Sequence, residues 1–461
     1  MIAIVTPDDM RAVDAAAAEP TEVLVRRAGG AVARAAVRMM GGTYGRTVVV
    51  IAGGGNNGAD GRVAAELLAA KGVRVRVFDA ADCPAEIPQA SAVDLVIDAA
   101  YGTGFRGTWN PPSVGDTPVL AVDLPSGVNG LTGEAAGDVL PATRTVTFAA
   151  LKPGLLLGTG SLLAGAVELV DIGLGELAAA HTRSHLVQLS DVAAWVPARL
   201  AAAHKWRAAV RVVAGSPGMS GAARLAVEAA MRSGAGIVHL SAPGTLVAGS
   251  PPEVVQRPLP AKGWAREVLD SLDRFHALVV GPGLGRDDET AAQARLLAVE
   301  APIPTLIDGD ALFAMAWNAD GAASLLRRRT APTVLTPHDG EYTLLAGTPP
   351  GPDRFVAARR LAADTGCVVL LKGPTTVVAD PHGELLVVTA GDARLATAGT
   401  GDVLSGIIGA LLAAGVPALQ AAAAGAWLHG HAANAAPAEG MVAGDIVAHL
   451  PSVLAELAAM R

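Results

Sequence analysis

Sulfur cross-links, aromatic rings and charge are all scarce in this chain. Two cysteines, Cys83 and Cys367, occur in 461 residues. They are too few and too far apart for a disulfide framework or a zinc-ligand spacing, so both are expected to be small packing residues in a reducing, cytoplasmic compartment. Aromatic residues make up 3% of the chain and charged residues 17%, the latter below the roughly 25% usual for soluble domains. Low charge raises the question of a membrane span, because residues 403–438 contain no Asp, Glu, Lys or Arg and are long enough to cross a bilayer. Ser405, Pro417, Gln420, His429, His431 and Asn434 interrupt that stretch, and its many glycines weaken it further. Two Ala-rich buried helices joined near Gly415-Val416-Pro417 are expected instead, with no membrane. No secretory leader is expected either, since Asp8 and Asp9 stand where a basic region and an apolar run belong. Concentrated basic charge is missing too: 35 Lys and Arg face 43 Asp and Glu for a net charge of −8, and the arginines are scattered, which argues against nucleic acid.

What is abundant is aliphatic. Hydrophobic residues reach 51%, and the chain exceeds the length that one core usually serves, so two domains are expected, 1–186 and 187–461. A helical pattern over 7–40 opens the first. Strand-like apolar runs follow at 46–52, 73–78, 93–98, 119–123, 144–148 and 166–171, with a helix over 62–70. The second domain repeats the rhythm at 210–214, 237–241, 277–280, 305–307, 333–335 and 368–371. Strands alternating with helices predict an α/β fold, two doubly wound domains with parallel sheets covered by helices on both faces. The poorly charged helical surfaces point to a homo-oligomer.

In the first domain, Gly53-Gly-Gly55-Asn-Asn-Gly58 follows a strand, and Asp79 lies some twenty residues beyond, which satisfies a dinucleotide-binding fingerprint. Asp60 opposes that reading, because a carboxylate at a helix N-terminus repels a docked pyrophosphate. The oxygens of Asn56, Asn57 and Asp60 suit a hard cation or ribose hydroxyls better, and a purely structural turn is the third alternative. Two more strand ends carry polar loops: Asp98 with Tyr101-Gly-Thr-Gly-Phe-Arg-Gly107, and Asp123-Leu-Pro-Ser-Gly127. Asp123, before a Pro-bearing turn, is placed to be desolvated and to exchange protons near neutrality.

Asn56-Asn-Gly-Ala-Asp-Gly61, residues 93–107, Val122-Asp-Leu-Pro-Ser-Gly127 and Phe148-Ala-Ala-Leu-Lys-Pro-Gly154 together resemble the NAD(P)HX epimerase family over nearly all of residues 1–185. The resemblance implies a Rossmann-like fold and interconversion of the R and S forms of hydrated NADH and NADPH (NADHX and NADPHX). It further implies that Asn57, Asp98 and Ser126 ligate potassium. The substrate loops would be Asn56, Asn57, Gly58, Ala59 and Asp60, with Gly102, Thr103, Gly104, Phe105, Arg106, Gly107 and Thr108, and Asp123 would be the acid/base residue. Ala59 departs from a Gly usual in the family.

The second domain holds the sharpest motif, Ala396-Thr-Ala-Gly-Thr-Gly-Asp402, leading into an apolar helix. Free N–H groups and the helix dipole stabilise an anion there, and Asp402 is positioned to take a proton from a hydroxyl nucleophile; the alternative is a plain Asp cap. Four further loops at strand ends, Gly281-Pro-Gly-Leu-Gly285, Asp308-Gly-Asp310, Thr336-Pro-His-Asp-Gly-Glu341 and Lys372-Gly-Pro-Thr-Thr376, outline one site. His429 and His431 are read as packing or capping residues. With His204-Lys205 and Gly215-Ser-Pro-Gly-Met-Ser-Gly-Ala-Ala223, these loops resemble the ribokinase-like ADP- or ATP-dependent NAD(P)HX dehydratase family over about residues 187–461.

That resemblance implies phosphorylation of the S-NAD(P)HX hydroxyl and elimination of phosphate. ADP with Mg2+ would be the donor, and AMP the released nucleotide. Asp402 would be the base, and Gly401 part of the anion hole and a nucleotide contact. Lys372, Gly373, Pro374, Thr375 and Thr376 would form the adenine-nucleotide loop; Ala222, Ala223, Gly285 and His338 would touch the hydrated cofactor. Trp206, Ala209, Asp339, Pro374, Thr375, Arg394 and Ala398 stand where the family has other residues, mostly Gly, and bulk at Trp206 is expected to narrow a phosphate-side loop. The alternatives are a ribokinase-like kinase for a small vitamin or sugar hydroxyl beside a non-catalytic N-terminal binder, and a scaffold that binds without turnover.

Overall fold

Central strands of a parallel sheet are buried on both faces, so they read as continuous apolar runs bounded by Gly, Asp and Pro. The structure, a computed structural model, describes residues 1–199, 202–318 and 321–461. The chain divides into two compact units, Ile2–His185 and Leu186–Arg461 with Met1.

In the first unit, β1 (Thr47–Ala52), β2 (Arg74–Asp79), β3 (Leu95–Ala99), β4 (Val119–Val122), β5 (Arg144–Phe148) and β6 (Ala166–Val170) are parallel and ordered β2-β1-β3-β4-β5-β6. The chain steps outward from β1 to β2 and then returns to the other side of β1, so the order reverses between β1 and β3. Ligands of such sheets bind above the carboxyl ends of the strands at that reversal. Val48, Val50, Leu95 and Ile97 share a core with Leu24, Val32, Ala36, Ala64 and Leu68 of the helices Thr21–Met40 and Asn56–Ala69.

On the opposite face Val49, Ile51 and Val96 pack on Ile87, Val93, Trp109 and Leu140, which belong to irregular chain rather than to the expected helical cover. Pro84, Pro88, Pro111, Pro112 and Pro118 punctuate those connections and disfavour helix. The single helical run over 7–40 is two helices, Pro7–Ala16 and Thr21–Met40, because Glu19 precedes Pro20 and is pushed out of the helical region.

In the second unit, β7 (Ala209–Val213), β8 (Ile237–Ser241), β9 (Val255–Gln256), β10 (Ala277–Val280), β11 (Thr305–Ile307), β12 (Thr333–Leu335), β13 (Val368–Leu371), β14 (Thr376–Ala379) and β15 (Leu385–Val388) run in the order β15-β14-β13-β12-β11-β10-β7-β8-β9. All pairs are parallel except β13 with β14 and β14 with β15. The last two strands lie beyond the expected strand set, and Asp380-Pro-His-Gly383 between two apolar runs is their turn signal. Order reverses between β7 and β10, and the helix Thr400–Ala413 packs over β7, β10, β11 and the helix Ser220–Arg232. It is followed by the helix Ala418–Ala435; among the described residues no helix is long and apolar enough to cross a membrane.

Trp206 lies in the turn Lys205–Ala208 just before β7, at the amino edge of the sheet. Its ring stands edge-on to His239 and Phe275, with the Arg274 guanidinium 3.7 Å from its centroid. The expected narrowing of a phosphate-side loop therefore does not arise, because the strand-end loops lie at the other edge of the sheet.

Helix Thr400–Ala413 approaches its neighbour closely because Gly406 has no side chain: a methyl there would sit 2.1 Å from the Ala226 carbonyl oxygen. Gly406→Ala should lower the stability of this unit by about 1–3 kcal/mol, read as a lower denaturant midpoint. Gly444→Ala, which would meet nothing within 4 Å, should leave the midpoint unchanged or higher.

Candidate active sites

At the reversal in the first unit the helix after β1 begins at Asn56 rather than near Arg62. Asn57 and Asp60 therefore occupy its first turns, three residues apart on one face. A cavity of about 720 Å³ opens there, lined among others by Asp14, Asn56, Asn57, Asp60, Gly102, Thr103, Gly104, Phe105, Arg106, Asp123 and Lys152. Gly58, Ala59, Gly107 and Thr108 do not line it. Gly58 is instead needed for the turn, since a methyl there would fall 1.8 Å from the Gly53 carbonyl oxygen. Phe105 rests on Tyr101 with ring centroids 4.3 Å apart, which gives the loop a rigid aromatic base.

Asp123 follows β4 with φ of 67°, a left-handed conformation that a non-glycine residue holds only when its surroundings enforce it. The enforcing contacts are visible. Lys152, 1% exposed, places Nζ 2.6 Å from Asp123 Oδ1, and Thr147 Oγ1 donates to the same oxygen at 3.0 Å. Lys152 Nζ also donates to Thr147 Oγ1 and to the Phe148 carbonyl, each at 2.9 Å. Burial, and then the negative charge of Asp123, push the Asp60 carboxyl up to about 8. In the sequence Lys152 is marked only as a lone lysine inside Ala-Ala-Leu-Lys-Pro-Gly, and its pairing with Asp123 emerges from the fold.

Asp98 and Ser126 lie beside this cavity rather than in its lining. Asp98 is fully buried and accepts from Ser126 N at 2.8 Å, Ser126 Oγ at 2.6 Å and Ala100 N at 3.3 Å; Ser126 Oγ in turn accepts from Tyr101 N at 2.8 Å. Burial raises the Asp98 carboxyl against the opposing pull of the Ser126 bonds. Both amide atoms of Asn57 are buried and have no hydrogen-bond partner. An amide oxygen with nothing to accept is free to serve as a cation ligand.

In the second unit the four strand-end loops converge on Asp308, after β11. Its buried carboxylate accepts from Lys372 Nζ at 3.1 Å, Thr336 Oγ1 at 2.8 Å and Ser405 Oγ at 2.6 Å. Burial alone would raise this carboxyl, but Lys372 and the two hydroxyls hold it below the usual range. Lys372 Nζ lies 3.5 Å from Glu341 Oε2, and the two carboxylates keep its ammonium charged against burial. Gly399, with φ of 91°, turns the chain into the helix Thr400–Ala413, so Asp402 sits in its first turn. Burial first, and then the Asp308 charge, push the Asp402 carboxyl up to about 7. Gly401 abuts the cluster: a methyl on it would lie 3.7 Å from Lys372 Nζ.

The other predicted residues sort by exposure. Ala222 is half-buried beside Gly283, whereas Ala223 is fully buried in the core against Gly215 and has no side-chain surface to offer a ligand, a correction to its expected contact. Gly285 N donates to Asp310 Oδ2 at 2.9 Å. His338 caps the helix Asp339–Ala346, its Nδ1 accepting from Gly340 N and Glu341 N at 3.0 and 3.2 Å. Gly373 and Pro374 are exposed, Thr375 is buried, and Thr376 begins β14; Lys372 points its amine inward, to Asp308. The fold adds Asp308 and Ser405 to the site; the sequence signal for Ser405 is a hydroxyl three residues after Asp402 in an apolar helix. His429 is buried with Nε2 unpartnered, and His431 stacks on Trp427 at 3.7 Å.

Comparison with known proteins agrees with both halves. Residues 210–454 match the family model described as NAD(P)H-hydrate dehydratase, and residues 21–91 and 79–154 match the YjeF-related protein N-terminus. The bifunctional NAD(P)H-hydrate repair enzyme Nnr of Mycobacterium leprae is 39% identical, with 95% of this chain and 96% of that protein aligned. Its namesake in Moorella thermoacetica is 36% identical over 87% and 86%. Among solved structures, the ADP/ATP-dependent NAD(P)H-hydrate dehydratase of Bacillus subtilis, crystallised with ATP and Mg2+, is 30% identical with a TM-score of 0.52, covering 59% of this chain and 97% of its own. A ribokinase-like protein of Enterococcus faecalis, 22% identical with a TM-score of 0.53 over 60% of this chain and 97% of its own, shares the fold. With two catalytic-looking carboxylate clusters, one per unit, and relatives aligned along almost its whole length, the chain belongs to the bifunctional NAD(P)H-hydrate repair enzyme family.

Proposed function

We propose that the chain repairs NADH and NADPH that have taken up water across a nicotinamide double bond. The first unit interconverts the R and S hydrates, and the second restores the S hydrate to NAD(P)H at the expense of ADP, releasing AMP and phosphate. The observation that carries the reading is Asp402, a carboxyl raised to about 7 at the N-terminus of an apolar helix and beside a buried Asp308–Lys372 pair. A hydroxyl cannot leave as hydroxide, but its phosphate ester leaves readily. As the substrate oxygen attacks the phosphoryl group, Asp402 takes its proton, while N–H groups around Gly401 face the developing negative charge. Phosphate then departs with the C–O electron pair and takes up the proton that the neighbouring carbon loses, so that the C–H pair restores the double bond.

Adenine nucleotide would lie along Gly373 to Thr376, and the hydrated ring near Ala222, Gly285 and His338. Among the described residues no cluster of three or more His, Cys, Asp or Glu is arranged for a metal, so Mg2+ would be carried chiefly by the nucleotide phosphates. In the first unit Asn57, Asp98 and Ser126 would hold potassium, which would neutralise buried charge and order the loop 100–106; Asp123 exchanges protons with the substrate. The reading places the protein in the cytoplasm, where these cofactors turn over.

Purified protein incubated with mixed R and S NADHX, ADP and Mg2+ should recover all of the NADH absorbance. Recovery of the S form alone would remove the epimerase assignment, and no recovery would overturn the reading. The kcat/KM of dehydration should climb as pH rises through about 7, because only ionised Asp402 accepts a proton; Asp402→Asn should flatten this limb and cut the rate about 100-fold or more. Lys372→Met, which strands the buried Asp308 charge, should cost about 3–5 kcal/mol of stability, measured by denaturant unfolding.

A further inference from the structure

We infer that Asp60 is the second catalytic carboxyl of the first unit, donating a proton to the hydroxyl of the hydrate while the Asp123 carboxylate receives one. The inference rests on the epimerase half of the reading above. It follows from which groups in the cavity are free to act. Lys152 is not, since Asp123, Thr147 and the Phe148 carbonyl occupy its ammonium. Asp14 lies on the exposed rim. Asp60 is 7% exposed and lines the same cavity as Asp123. Among the described residues no donor hydrogen-bonds its carboxyl, and the charges acting on it are Asp123, Lys152 and Asp14. A buried carboxyl without a donor, near a second carboxylate, is the arrangement in which two acids keep one proton between them. Lys152 pairs with Asp123 and so leaves that proton on Asp60, in keeping with an Asp60 carboxyl pushed up to about 8.

The chemistry calls for this pair. Water added across an enamine double bond puts the hydroxyl on the carbon bonded to the ring nitrogen. Inverting that carbon requires one bond to break and to re-form on the other face. Asp60 gives its proton to the hydroxyl, the C–O bond breaks, and water leaves with the electron pair. The nitrogen lone pair meanwhile forms C=N. A water then adds to the opposite face, a new C–O bond forms as the C=N pair returns to nitrogen, and Asp123 takes the surplus proton. One water leaves and one enters. The proton returns from Asp123 to Asp60 through water in the cavity, and the reverse reaction uses the two carboxyls in exchanged roles.

The test uses the full chain carrying Asp60→Asn, which keeps the volume of the side chain but has no acidic proton. Interconversion of R and S NADHX should lose about 100-fold or more in kcat, with KM within about twofold of the parent. ADP-dependent dehydration of pure S hydrate should stay unchanged, showing that substrate and chain are sound. In the parent, kcat for interconversion should fall as pH rises through about 8, and this limb should vanish in the variant. In heavy-oxygen water each interconversion by the parent should introduce solvent oxygen at the inverted carbon. An unchanged kcat in the variant, a loss confined to KM, or inversion without solvent oxygen overturns the inference while leaving the epimerase reading intact. A parent chain that never interconverts the two forms overturns that reading itself.

Discussion

A lysine ammonium taken out of water at the carboxyl edge of a parallel sheet is tolerated only against a carboxylate, and each unit is organised around one such pair. Lys152 is locked to Asp123, and Lys372 to Asp308. Stranding either partner would leave a charge in a medium that solvates it poorly, so the surrounding loops are committed to closing round the pair. Thr147 and the Phe148 carbonyl do so in the first unit, Thr336 and Ser405 in the second. The pairs also set the fields in which Asp60 and Asp402 sit, and burial lifts both acids toward neutrality.

Much of this was legible in the sequence because strand ends advertise themselves. Short apolar runs gave β5, β8, β10, β11, β12 and β13 at their observed bounds, β10 and β11 stopping directly at Gly281 and Asp308, and Thr-Gly-Asp402 marked the anion-binding helix. Less legible was anything that depends on which side chains meet across the sheet. Asp308 and Lys372 are 64 residues apart, and nothing local distinguishes Asp308 from an ordinary turn aspartate. Helix starts were misjudged where polar residues lie inside the first turn, as at Asn56 and Asn57, since a motif read as loop can still donate its N–H groups from helix. The irregular cover on one face of the first sheet escaped notice because periodicity reports helices and is silent about extended chain.

Positions that depart from the family pattern are accommodated by partners supplied elsewhere. Asp339 pairs with Arg354 at 2.9 Å, and Arg354 also donates to the Lys372 carbonyl at 2.7 Å, tying that loop to the one that carries the buried ammonium. Arg394 is fastened to Asp392 and to the carbonyls of Ala436 and Pro437, bracing the approach to Gly399 from the end of the helix Ala418–Ala435. At Arg394, where the family pattern has Gly, these side-chain bonds hold the turn in place.

Trp206 carries a different consequence. Its indole lies under a guanidinium and beside two further rings at the sheet edge remote from the strand-end loops. Stacking of that kind alters indole emission, so the residue is a built-in optical reporter of the order of that edge. Its signal can be read separately in a chain whose other five tryptophans are replaced, and loosening of the strands can then be followed there by fluorescence with no label attached.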